Sequence, residues 1–101
     1  HYAPNANVRL MDAKQLQSAL EVLGSEGKNI AVYHRSPLRC ASPAIHLRAM
    51  PQQALATAHE LFGTLRDFDE IGAKLIWIET PPDTADWEGV RDRLQRAAAA
   101  G

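Results

Sequence analysis

Between Leu55 and Glu79 the spacing of apolar positions changes character. Leu55, Ala58, Leu61 or Phe62, Leu65 and Phe68 recur at intervals of three and four, and then Leu75, Ile76, Trp77 and Ile78 follow without a break. The first pattern predicts an amphipathic helix, the second a strand covered on both faces. Gly72 lies between them, where a helix C-terminus needs a residue that tolerates a left-handed backbone. Upstream, Val8 to Met11 alternates as a short strand, with Val8 and Leu10 on one face. Asp12 then offers an N-cap, and Gln15 completes a capping-box pattern. Ala13, Leu16, Ala19 or Leu20, and Leu23 form the buried stripe of a helix ending at Gly24.

A second continuous apolar strand is predicted over Asn29 to Tyr33. An irregular loop over His34 to Pro43 and a short third strand over Ala44 to Leu47 follow it. Pro51 suits the first turn of the next helix. Beyond the Trp77 strand, paired prolines stop the chain, and Asp83, Thr84 and Asp86 are candidate caps for a last helix carrying Trp87, Val90, Leu94 and Ala97. On its outer face Glu88 and Arg91, and Asp92 and Arg96, are spaced as ion pairs. The order β α β, loop, β α β α predicts a three-layer α/β/α domain with a mostly parallel sheet of about four strands. The strands at Ile30 and Leu75 most need cover on both faces, whereas those at Val8 and Ile45 could tolerate an edge.

Composition narrows the function classes. With 11 basic against 12 acidic residues and a formal net charge of −1, no global field draws in phosphates, which argues against direct binding of nucleic acid. The single cysteine, Cys40, excludes an internal disulfide and fits a reducing, cytoplasmic setting. No apolar run reaches the ~20 residues that span a bilayer, so no membrane partner is expected. The chain starts at His1 rather than methionine, as a piece cut from something longer would.

Candidate chemistry is sparse. Parallel sheets bind ligands at the carboxyl ends of their strands, which makes Asp12, His34 and Asp83 the candidate ligand site. No glycine-rich phosphate loop accompanies them. His1, His34, His46 and His59 do not fall at metal-ligand spacing with one another or with Cys40, so no metal site and no catalytic residue is assigned. Of the four, His34 follows a strand end, while His46 and His59 read as surface residues. Cys40 lies in an arginine-flanked loop without a histidine committed to it. Asp67, Asp69 and Glu70 crowd a helix C-terminus against the macrodipole, with Arg66 and Lys74 as the nearest partners in sequence.

Two groups of residues carry more than pattern. His1-Tyr2-Ala3-Pro4 precedes the first strand; Ala58, Leu61-Phe62, Leu65-Arg66 and Asp69 precede Ile76 to Glu79, and Arg93-Leu94 and Ala97-Ala98 close the chain. In that order they resemble the C-terminal domain of the two-domain threonylcarbamoyl-AMP synthases, over essentially the whole chain. The resemblance implies a Rossmann-like C-terminal domain over residues 8–101 and the end of an interdomain linker over residues 1–7. It also implies an N-terminal YrdC-like catalytic domain as partner, with other tRNA-modification proteins as further candidates. The complete enzymes are nucleotidyltransferases that condense L-threonine, bicarbonate and ATP into threonylcarbamoyl-AMP and pyrophosphate, for threonylcarbamoyladenosine modification of tRNA. ATP and Mg would belong to the parent enzyme, whose binding residues have no counterparts here, and no cofactor is expected in this domain. By the same resemblance His1, Tyr2, Ala3 and Pro4 are the linker tail approaching the partner's active site, and Arg66 and Asp69 are candidates for interdomain contact.

Overall fold

A computed structural model describes residues 2–100; His1, one of the four linker positions, lies outside them. Four strands and three helices follow in the order β1 (Asn7–Met11), α1 (Ala13–Leu23), β2 (Ile30–His34), β3 (His46–Ala49), α2 (Ala54–Glu70), β4 (Leu75–Glu79) and α3 (Glu88–Ala100). A turn of 3-10 helix over Ala85–Trp87 leads into α3. The strands form one sheet in the order β1-β4-β2-β3, and all three pairings are parallel. The two continuous apolar strands therefore occupy the centre and the two alternating ones the edges. Burying both faces of β2 and β4 removes the most apolar surface per residue.

Alternation along the central strands builds two cores. Ala31, Tyr33, Ile76 and Ile78 face α2 and α3, where they meet Leu61, Leu65, Phe68, Val90 and Leu94. Ile30 and Val32 face the other way, onto Leu16 and Leu20 of α1, with Ile45 closing that side. Two helices cover one face and a single helix the other, so Trp77, expected in the core, is only half-buried. This three-layer α/β/α arrangement is a Rossmann-like fold.

Local chemistry explains the boundaries. Asp12 caps α1 through a complete capping box: the Gln15 amide donates to Asp12 Oδ1 at 2.7 Å, and the Asp12 amide to Gln15 Oε1 at 3.0 Å. Gly72, at φ +88°, ends α2 as expected. The third strand begins at His46 rather than Ala44. Ile45 is instead a buried loop residue lying so close to Gly27 (φ +110°) that a Cβ there would sit 2.6 Å from Ile45 Cγ1. Pro51 stands before α2 rather than in its first turn, and its carbonyl accepts from the Thr57 hydroxyl at 3.2 Å. Leu55, counted in the buried stripe, is 70% exposed. Asp92 and Arg96 pair at 3.2 Å, but Arg91 turns to Asp83 at 3.6 Å rather than to Glu88. Among the described residues no helix is long and apolar enough to cross a membrane.

Candidate functional site

The segment ahead of β1, from Tyr2 to Ala6, is bound to the domain as a strap. Its receiver is Asp69, near the C-terminus of α2. One carboxylate oxygen accepts from the Tyr2 hydroxyl and from the Asn5 amide at 3.0 Å, and the other from the Ala6 amide at 3.3 Å. The Arg66 guanidinium lies over the Tyr2 ring, 5.7 Å from its centroid. Pro4 and Ala6 are buried, and the Asn7 amide continues to the Lys74 carbonyl at 3.0 Å. The hydrogen bond to the Asp69 carboxylate, helped by burial, pushes the Tyr2 phenol up to about 12. Arg66 and Asp69, the candidates for interdomain contact, thus both hold the strap of their own chain. Asp69 stays at a helix C-terminus despite the macrodipole because it satisfies three donors there. Arg48, rather than Arg66 or Lys74, pairs with Asp67, at 3.0 Å.

At the opposite end of the sheet, the carboxyl ends of the strands place Asp12, His34 and Asp83. Asp12 is occupied as the α1 cap, His34 Nδ1 lies 2.8 Å from the Ser36 carbonyl oxygen, and Asp83 is exposed and paired with Arg91. No hydrogen bond among the described residues joins the three. The interior of this end is held by Glu79, which sequence reasoning did not single out. Its carboxylate accepts from the Arg35 amide at 2.8 Å, the Ser36 amide at 2.8 Å and the Ser36 hydroxyl at 2.7 Å. Burial opposes its ionisation. The Ser36 amide and hydroxyl, then the Arg35 amide and charge, outweigh burial and hold the carboxyl below its ordinary value. Arg35 itself stacks 4.8 Å over the Trp87 ring and donates to the Gln52 side-chain oxygen at 3.1 Å. A charge closing the apolar run Leu75–Glu79 was the available signal for Glu79; its partners, 43 and 44 residues away, gave none.

The remaining candidates stand apart from both clusters. His46 and His59 are exposed, and the Cys40 thiol lies 3.6 Å from the Ser42 carbonyl oxygen. A second polar pair unread from the sequence, the buried Tyr33 hydroxyl donating to Glu60 at 2.6 Å, ties β2 to α2. Among the described residues no group of three or more His, Cys, Asp or Glu side chains is arranged to hold a metal ion. What the arrangement can do is hold a segment of chain at the amino end of the sheet and a buried carboxylate at the other.

The family model described as "Threonylcarbamoyl-AMP synthase, C-terminal domain" matches residues 1–99. Among solved structures, the crystal structure of P. abyssi Sua5 complexed with L-threonine is similar at a TM-score of 0.73 and 23% identity, over 98% of this chain and 30% of that one. At that identity the likeness establishes the fold, and this chain spans about 30% of the length of that protein. A search of curated proteins returned no significant match. The match over nearly every residue decides the family: this chain belongs to the threonylcarbamoyl-AMP synthase C-terminal domain family.

Proposed function

We propose that this chain is the accessory C-terminal domain of a threonylcarbamoyl-AMP synthase, and that it positions the linker to a YrdC-like catalytic domain rather than supplying reacting groups. In this reading the parent enzyme converts L-threonine, bicarbonate and ATP to threonylcarbamoyl-AMP and pyrophosphate. ATP and any Mg are then bound by the catalytic domain. The observation that carries the reading is the convergence of three strap donors, from Tyr2, Asn5 and Ala6, on the single carboxylate of Asp69. Such a grip fixes where the linker leaves the domain. Linker movement at the catalytic mouth then has a firm point to work against.

The test is Asp69→Ala in the two-domain protein. ATP- and L-threonine-dependent pyrophosphate release should fall several-fold, and the Tyr2 phenol should titrate near 10 instead of about 12. The titration is read on this domain alone, which has two tyrosines; burial holds Tyr33 higher still, so the first to ionise reports on Tyr2. Restored tyrosine titration with unchanged turnover and unchanged affinity for both substrates would sink the positioning role. The alternative, a ligand-binding module at the strand carboxyl ends, rests on Asp12, His34 and Asp83. No observation favours it, because each is held in a separate local bond.

A further inference from the structure

Leu55, Ala58, Phe62, Arg66 and Asp69 lie along one side of α2, because eleven residues separate Leu55 from Arg66 and eleven residues make three turns. The strap covers the C-terminal end of that stripe, at Arg66 and Asp69. About 16 Å further along the helix axis, its N-terminal end borders an open groove between α2 and α3 of about 500 Å³. The groove is lined by Ala54, Leu55 and Ala58 of α2 and by Gly89, Val90 and Arg93 of α3, with Asp86, just ahead of α3, also on its lining. Leu55 is 70% exposed, and among the described residues Arg93 makes no ion pair. A Cβ added at Gly89 would meet only the tip of Arg93, at 3.8 Å, so the lining at Gly89 admits close approach by another chain.

We infer that this groove is the docking surface for the YrdC-like catalytic domain of the same polypeptide, which would insert an apolar side chain beside Leu55 and present a carboxylate to Arg93. The inference rests on the reading of the chain as that domain's accessory partner. What selects this surface is continuity. The strap that leads to the partner lies on the same side of α2 as the groove. The other strongly exposed aliphatic on a helix, Val22 at 87%, belongs to α1 on the far face of the sheet. A tethered partner reaches the near face at high effective concentration, so a small apolar contact suffices.

The experiment is hydrogen exchange on the two-domain protein carrying Leu55→Glu, Val22→Glu or Asp69→Ala. Leu55 is exposed in the domain itself, so Leu55→Glu leaves the fold intact, which near-ultraviolet circular dichroism checks. Expected is exchange on the order of tenfold faster in the first turns of α2 and α3 and in one patch of the catalytic domain for Leu55→Glu, with Val22→Glu unchanged. Leu55→Glu matching the parent protein, or Val22→Glu producing the exposure, overturns the assignment. Asp69→Ala separates the two ideas. Turnover unaffected by Asp69→Ala while Leu55→Glu opens the groove leaves docking standing and removes the strap's positioning role.

Discussion

Glu79 shows how one residue can hold the end of a sheet. Its carboxylate is buried yet charged, because two backbone amides and the Ser36 hydroxyl replace the water it lost. A carboxyl whose folded value is depressed contributes stability above its unfolded value, and the contribution drains away as pH falls through the folded one. The unfolding free energy should therefore decline from neutral pH to below pH ~4 more steeply than in Glu79→Gln. At neutral pH that variant should lose roughly 1–3 kcal/mol, since its amide cannot accept all three donors as a charge does. Urea midpoints of both proteins at a series of pH values check this, and parallel slopes would place the acid sensitivity elsewhere. Arg35 adds to the same corner: its aliphatic stem and planar head lie between Trp87 and Gln52, so the loop after β2 is fixed from both sides.

At the scale of elements, what the sequence disclosed was what local chemistry decides. The α1 cap is one case, since Asp12 and Gln15 need only each other; Asp12→Ala should cost about 1 kcal/mol, read as a lowered urea midpoint with unchanged slope. The central places of β2 and β4 are another, because an unbroken apolar run has no polar face to offer solvent. What stayed hidden depends on distant partners. All four residues of β3 are exposed, so the polar and apolar alternation of His46 to Ala49 marks no buried face and does not fix where the strand begins. Ile45, which invited the earlier start, is buried against Gly27 rather than by pairing in the sheet. Leu55 followed the helical spacing of the α2 stripe but stands exposed on the open groove between α2 and α3, and no periodicity reports where two helices part. The strap's grip was equally out of reach. Asp69 stood in the recognisable pattern, yet its partners Asn5 and Ala6 lie 64 and 63 residues away.

Across the whole molecule, the strap and the strand carboxyl ends lie at opposite ends of the sheet, and this separation gives residues 2–6 a defined energetic weight. They add no strand, since the β1 register with β4 begins at Asn7, but Pro4 and Ala6 close the lower edge of the larger core while the strap satisfies Asp69. Removing residues 1–6 therefore leaves sheet order, capping box and both cores formed. It uncovers that edge and strips a half-buried carboxylate of three donors. Hydrogen bonds to a charged acceptor and the loss of apolar cover together predict a loss of roughly 2–4 kcal/mol, discounted because water re-solvates Asp69. The shortened chain should unfold at lower urea with near-native circular dichroism. Its fastest-exchanging amides should lie at the C-terminal turn of α2 and around Lys74, whose carbonyl loses the Asn7 contact as β1 frays. An unchanged midpoint would mean that the strap rests on the domain without bracing it, and the linker would then have no fixed point from which to act.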